Sequence, residues 1–335
     1  LATHTFPEAA TDIFKISTAE QFEETAIQVF RFQYEKNPLY RAYCDTLHID
    51  PIKISRLEDI PFLPIHFFKS HEVKTTSFNE ALLFESSGTT ESITSRHFVK
   101  DSNLYRDSFQ RGFEYFYGPA SSYCILALLP SYLERGNSSL VYMADTLIKG
   151  SPNHQGGFFL NEFEKLQQVI LENEAKQIPT LLLGVTYALL DFFEQFPTPL
   201  HHTMVMETGG MKGRRKELLR EEVHQILKQK TGLQSIHSEY GMTELLSQAY
   251  SKKDGIFSCP PWLKILIRPE DDPIAVSRSG SGAINIIDLA NIYSCAFIAT
   301  DDAGKVFEDG SFEITGRLDH TDMRGCSLMV SINNK

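Results

Sequence analysis

A chain of 335 residues, 42% of them hydrophobic, is long enough to bury a sizeable core and to divide into subdomains. Its formal charge of −11 and pI near 5.5 argue against a nucleic-acid or anionic-membrane partner, and no uncharged apolar run is long enough to span a bilayer. Five dispersed cysteines without a CxxC pair (Cys44, Cys124, Cys259, Cys295, Cys326) fit a reducing cytoplasm better than a disulfide framework or a structural zinc site. Leu1–Ile16 has neither the basic nor the apolar region of a signal peptide, and without an initiator Met the start reads as processed or truncated.

In chain order, Ser17-Thr18-Ala19-Glu20 reads as a capping box, and Phe22, Ala26, Val29 and Phe30 recur at helical spacing, which predicts a helix over Ala19–Glu35 ended by Asn37-Pro38. Ile60–Lys69 is Pro-punctuated and aromatic, a core-packing segment; His66 and His71 have no ligand-like neighbours in the sequence and read as structural. Ala81–Phe84 is an apolar strand candidate. Tyr105, Phe109, Gly112 and Phe113 mark another helical face, and Tyr123–Leu129 a buried strand ended by Pro130. The pattern continues with a helix capped by Asn161 and Glu164, a strand at Thr180–Gly184, a helix at Tyr187–Phe196, a strand at Thr203–Met206 and a helix at Lys216–Lys230 closed by Gly232. Buried strands alternating with amphipathic helices predict an α/β fold with a doubly wound, mainly parallel sheet. From Pro260 short strands (Leu263–Ile267, Gly282–Leu289, Cys295–Thr300, Ser311–Thr315) are separated by Gly, Asp and Ser turns such as Asp309-Gly310, as expected of a smaller antiparallel β region. The expected divisions are 1–259, 260–318 and a tail at 319–335.

Four segments carry chemistry. Phe84–His97 contains Ser86-Ser87-Gly88-Thr89-Thr90, a hydroxyl-rich turn whose glycine and backbone N–H groups suit phosphate oxygens; it lacks the Gly-Lys-Ser/Thr ending of a Walker loop. Thr208-Gly209-Gly210-Met211 follows a strand and either turns into a helix or admits a flat base against its backbone. In Glu239-Tyr240-Gly241-Met242-Thr243-Glu244, Tyr can stack on a base, Thr can bond an oxyanion and Glu can hold a hard cation such as Mg²⁺. The turn at Thr300–Gly304 offers the Asp302 carboxylate to ribose hydroxyls, and Arg317 adds a planar cation.

Taken in order with Gly316-Arg317-Leu318-Asp319, these segments resemble the core motifs of acyl-adenylate-forming enzymes. Within that superfamily the chain looks most like the acyl-protein synthetase (LuxE-type) family and more distantly like phenylacetate–CoA ligases; Ile60–Lys69, Pro130–Met143, Glu207–Arg214 and Met323–Leu328 carry the closer likeness. The resemblance implies activation of a carboxylic acid, a fatty acid in this family, by ATP and Mg²⁺ to acyl-AMP, with transfer to a protein thiol. A reductase subunit or another acyl acceptor is the implied partner. By similarity Ser86–Thr90 cradle the phosphates, and Gly209, Gly210 and Tyr240, with Met211, Glu239, Gly241 and Met242 around them, hold the adenine. Thr243 contacts the α-phosphate or the acyl carboxylate, Glu244 the Mg²⁺, and Asp302 and Arg317 the ribose.

Two departures stand out. Glu91 replaces the glycine usual after the Thr-Thr pair, and the usual loop lysine is missing, with Arg96 the nearest cation. The chain also stops before the lysine-bearing C-terminal domain of larger relatives, a shortness that the acyl-protein synthetases share. The resemblance implies an acyl-accepting cysteine near the C-terminus, the place of Cys326; Gly325 would free the segment and Arg324 would favour the thiolate. Burial of Cys326 beside Leu328 and Val330 is the competing expectation. An acyl- or aryl-CoA ligase and a nucleotide- or partner-binding subunit without catalysis remain the rival readings.

Overall fold

The computed structural model describes residues 10–86, 93–130, 136–209, 218–272 and 274–318. In chain order the regular elements are α1 (Ala19–Lys36), α2 (Pro38–Thr46), β1 (Leu63–Pro64), α3 (Phe67–Ser70), β2 (Leu82–Glu85), β3 (Arg96–Val99), α4 (Ser102–Tyr117), β4 (Cys124–Leu128), α5 (Ser139–Gly150), β5 (Gly157–Phe158), α6 (Phe163–Ala175), β6 (Thr180–Val185), α7 (Thr186–Gln195), β7 (Thr203–Thr208), α8 (Arg220–Thr231), β8 (His237–Tyr240), β9 (Ala249–Ser251), β10 (Leu263–Arg268), β11 (Gly280–Asp288), β12 (Phe297–Val306) and β13 (Phe312–Arg317).

The first sheet runs β5-β4-β6-β7-β8-β9, parallel throughout except for the antiparallel edge strand β9. β4 and β6 are buried at every position, so their sequences read as unbroken apolar runs rather than as alternation. The second sheet runs β1-β12-β11-β10, with β13 also pairing β12. β12 is ten residues long, which lets β1 take its Ile298–Ala299 stretch and β13 its Asp302–Val306 stretch. The Pro-punctuated segment therefore joins the antiparallel sheet early in the chain: Tyr40, Phe62 and Phe30 pack on Phe297. β2 and β3 form a separate two-stranded ribbon. The α/β class with a parallel sheet and an antiparallel region holds, and among the described residues no helix is long and apolar enough to cross a membrane.

Local chemistry shifts several boundaries. The capping box of α1 is Thr18 with Gln21, one residue beyond Ser17 and Glu20: Gln21 N donates to Thr18 Oγ1 at 3.2 Å and Thr18 N donates to Gln21 Oε1 at 3.3 Å. Asn37 ends α1 and also caps α2, because Pro38 needs no amide partner at the first helical position. Glu162, not Asn161, precedes α6, and its carboxylate pairs with Lys165 instead of capping. Thr300–Gly304 is not a turn but part of β12: β13 pairs with it from Asp302 onward, and β11 pairs with Ala303 and Gly304 after an irregularity opposite Thr300–Asp302. Cys44, Cys124 and Cys295 are buried as small apolar side chains.

Candidate active site

The ends of β7 and β8 lie side by side at the C-terminal edge of the parallel sheet, with Thr208 paired to Glu239. Ligand crevices of α/β folds open at this edge. Beyond β7, Gly209 takes φ +63°, a left-handed conformation that suits glycine. Its carbonyl accepts the Thr186 hydroxyl at 2.9 Å, and that hydroxyl also lies 3.0 Å from Glu207 Oε2. Glu207 Oε1 accepts Arg220 Nε at 3.0 Å, with His224 Nε2 3.7 Å away. Burial works against the Glu207 charge, yet His224, Arg220 and Ser238 together hold its carboxyl down to about 2.

On the neighbouring strand Glu239 lies in the opposite regime. Burial lifts its carboxyl to about 7; the Thr208 hydroxyl bonded to Oε2 opposes that shift and the Glu207 charge adds to it. Two residues on, a β-carbon at Gly241 would collide with Glu239 Oε1, so glycine is the residue that fits there.

Thr243 and Glu244 follow the strand and are held from three sides. His97 Nδ1 donates to the Thr243 carbonyl at 2.8 Å, which fixes the tautomer, and burial pushes this imidazole down to about 4 so that it stays neutral. Asn291 Nδ2 donates to the Glu244 carbonyl at 2.7 Å. Buried Asp288 accepts the Leu246 and Ser247 amides at 2.8 and 3.0 Å. Glu244 is 6% exposed; burial raises its carboxyl, and the nearby Ser95 side chain opposes the rise. Ser95 also closes the base of the hydroxyl-rich loop: its amide donates to Ser86 Oγ at 2.9 Å, and its carbonyl accepts the Ser86 amide at 3.0 Å. The foot of that loop and Glu244 thus share one serine.

The antiparallel sheet brings the ribose candidates. The Tyr240 hydroxyl donates to Asp302 Oδ2 at 2.8 Å, and Arg317, opposite Asp302 in the β12–β13 ladder, approaches Oδ1 with Nε at 3.3 Å. Burial, with the Asp302 carboxylate alongside, pushes the Tyr240 phenol well above its ordinary value and keeps it a donor. Its ring meets Phe257 and Phe312 edge-on at 5.9 and 5.6 Å. His66 is not without a carboxylate neighbour as its sequence context suggests: its Nδ1 lies 3.7 Å from Asp301 Oδ2, because β1 brings Ile65 to hydrogen-bond Ala299.

Of the residues singled out in the sequence, Ser86, Thr243 and Glu244 come together through Ser95 and His97, Tyr240 joins Asp302 and Arg317, and Glu239 underlies Gly241. Met242 is half-buried against the core. Arg96 faces Glu85 across the ribbon, with its guanidinium 5.6 Å from the Phe98 ring centre. Ser87, Gly88, Thr89, Thr90, Gly210, Met211 and Cys326 lie outside the described residues. Sequence reasoning missed Glu207, Thr186, Arg220, His224, His97, Ser95, Asp288 and Asn291. The strand-then-glycine pattern at Glu207–Gly209 flagged the place but not these partners.

The family profile described as acyl-protein synthetase, LuxE, matches residues 10–334. Among solved structures, 2-hydroxyisobutyryl-CoA ligase in the postadenylation state in complex with 2-HIB-AMP superposes with a TM-score of 0.67 at 11% identity, over 91% of this chain and 69% of that one. ATP-bound MatB from Rhodopseudomonas palustris superposes with a TM-score of 0.54 at 18% identity, over 72% of this chain and 49% of that one. The chain thus spans about half the length of MatB. A comparison with curated proteins found no match. At these identities the superpositions establish a shared fold.

Proposed function

Because this chain belongs to the acyl-protein synthetase (LuxE) family, we propose that it is an ATP-dependent, cytoplasmic ligase that activates a fatty acid as acyl-AMP and passes the acyl group to a protein thiol. The observation that carries the reading is the meeting of Glu244, Ser95 and Ser86 beside Thr243, with the Tyr240–Asp302–Arg317 group at the end of the same strand. A phosphate-binding foot, a buried carboxylate, an aromatic ring and a carboxylate–guanidinium pair in this arrangement match the needs of a nucleotide and an acid brought together.

In the proposed first step a carboxylate oxygen of the acid attacks the α-phosphorus of ATP. The bond to the bridging oxygen breaks, and pyrophosphate leaves with its electron pair. In the second step a thiolate attacks the acyl carbon and AMP departs, leaving a thioester. The main obstacle to the first step is repulsion between anions, so preorganised donors and cations lower the barrier most. Ser86 and the loop through Thr90 would supply donors to the phosphates, and Thr243 a hydroxyl to the α-phosphate or the acyl carboxylate. Arg96 would provide the cation at this loop. Gly209, Gly210, Met211, Gly241 and Met242 would border the adenine beside Tyr240, with Asp302 and Arg317 at the ribose.

Mg²⁺ fits the donor set. Among the described residues no cluster of three or more His, Cys, Asp and Glu side chains could cage a metal, and Mg²⁺ is bound through one or two carboxylates together with phosphate oxygens and water. Glu244 is that carboxylate: its ionised form is under-compensated by burial, a deficit that a cation would relieve. When bound, the ion would neutralise phosphate charge; the positioning of Glu244 by Ser95 and Asn291 is this chain's own contribution.

The acceptor thiol is assigned to Cys326, and the partner to a subunit that reduces or accepts the acyl group. Incubation with ATP and labelled fatty acid is expected to leave hydroxylamine-labile label on the protein, absent in Cys326→Ser, while acyl-AMP still forms in that variant. Label that survives in Cys326→Ser would overturn the assignment of the acceptor. A free coenzyme A thioester formed at a matching rate would favour a CoA ligase instead.

A further inference from the structure

The register between β11 and β12 breaks at one place. Ala283 pairs with Ala303 and Asn285 with Ala299, so the single residue Ile284 stands opposite three, Thr300, Asp301 and Asp302. The extra residues bulge out of the ladder, and two carboxylates sit on the bulge. Asp302 turns to Tyr240 and Arg317, and Asp301 to His66. Buried carbonyls taken out of ladder register need donors from elsewhere.

Those donors come from Arg268, the last residue of β10, which is 8% exposed. Its Nη1 donates to the Ile284 carbonyl at 2.9 Å and to Asn285 Oδ1 at 2.5 Å, and its Nη2 donates to the Thr300 carbonyl at 2.6 Å. One planar fork thus spans β11 and β12 at the break, a geometry that the point charge of a lysine does not reproduce. The Thr300 hydroxyl completes the brace: it donates to the Ile284 carbonyl at 2.9 Å and accepts the Asp302 amide at 3.2 Å. Asn285 turns its Oδ1 to the guanidinium and leaves its buried Nδ2 with no partner among the described residues. Burial lowers the Arg268 guanidinium from its ordinary value, and the Asp301 carboxylate nearby opposes the fall. Among the described residues the direct partners of this buried cation are the bulge carbonyls and one amide, so its donors serve to fix backbone.

We propose that Arg268 is a positioning residue for the nucleotide's ribose: it holds the β12 bulge so that Asp302 meets Tyr240 and Arg317. The ribose assignment rests on the adenylation reading; the brace beneath Asp302 does not. Among the described residues the hydrogen bonds of Arg268 reach none of those three side chains. Its influence passes through Thr300 and the Asp302 amide.

The test follows two readouts on the whole chain, in Arg268→Met and in the milder Thr300→Val, which removes only the hydroxyl of the brace. The first is urea unfolding. Tyr240→Phe should lower the midpoint in the wild type and leave it unmoved in either background, because Asp302 has already left Tyr240. The second compares ATP with 2′,3′-dideoxy-ATP in acid-dependent ATP–pyrophosphate exchange. The wild type should prefer ATP at least about tenfold in kcat/KM, and both variants should cut that preference to within about twofold with the KM for the acid unchanged. Adding either variant to Asp302→Ala should alter the preference no further. Additive losses from Tyr240→Phe in both backgrounds, or an ATP preference that survives in both variants, would overturn the proposal. If Arg268→Met does not fold, Thr300→Val carries both readouts. Coupling in urea without acid-dependent exchange in the wild type leaves the brace standing and overturns the adenylation reading.

Discussion

The Tyr240 hydroxyl donates to Asp302 Oδ2 at 2.8 Å, and the two residues belong to different sheets. Tyr240 ends the parallel strand β8, and Asp302 sits mid-way along the antiparallel strand β12. One hydrogen bond to a buried carboxylate thus ties the parallel sheet to the antiparallel one at the candidate site. Tyr240→Phe removes only the donor and keeps the ring against Phe257 and Phe312. A hydrogen bond to a charged group contributes about 1.5–3 kcal/mol, so urea unfolding should register a loss near the lower end, since Asp302 retains Arg317. The apparent KM for ATP should rise severalfold with the KM for the acid unchanged.

A second prediction concerns acid stability. Glu207 has an ordinary value of 4.5 and is held at about 2 in the folded chain, so its stabilising contribution is present above pH 4.5 and is lost as pH falls toward 2. Glu207→Gln should lower stability at pH 7 by on the order of 3 kcal/mol and flatten the pH dependence between those limits. Unfolding midpoints measured from pH 2.5 to 7 check this; an unchanged acid limb in the variant would contradict it.

Much of the fold was legible because its signals are local. Helix faces such as Phe22–Phe30 and Tyr105–Phe113, and runs such as Cys124–Leu128, declare themselves within a few residues. The glycine-bearing ends of β7 and β8 also stood out, since a strand running into Gly marks a turn wherever it occurs. The partners of those ends did not. Arg220 and His224 reach Glu207 only because α8 packs back over β7, and Asp288 holds the Leu246 and Ser247 amides from about 40 residues away. The Asp302 segment misled for a related reason. Its Asp and Gly residues favour turns locally, but the β13 ladder from Asp302 onward and the β11 pairs at Ala303 and Gly304 keep it within a strand.

Arg96 supplies the third prediction. It opens β3 on the ribbon that carries the hydroxyl-rich loop, directly after Ser95, whose amide and carbonyl close the base of that loop on Ser86. If it provides the cation that the loop otherwise lacks, Arg96→Ala should raise the apparent ATP requirement at least tenfold, about 1.4 kcal/mol, and leave that for the acid within about twofold. Equal rises for both substrates in steady-state kinetics would point to disruption of the ribbon instead.

The most direct test of the adenylation reading is ATP–pyrophosphate exchange with Glu244→Gln alongside the wild type. Exchange in the wild type should require a carboxylic acid, strengthen with fatty acids and depend on Mg²⁺. In Glu244→Gln, which keeps the side-chain shape and the Asn291 contact to the backbone carbonyl, it should fall at least tenfold, above about 1.4 kcal/mol in the barrier. The predicted result is acid-dependent exchange that collapses in the variant at limiting Mg²⁺; no exchange with any acid in the wild type, or full exchange in Glu244→Gln under that limit, would contradict the account.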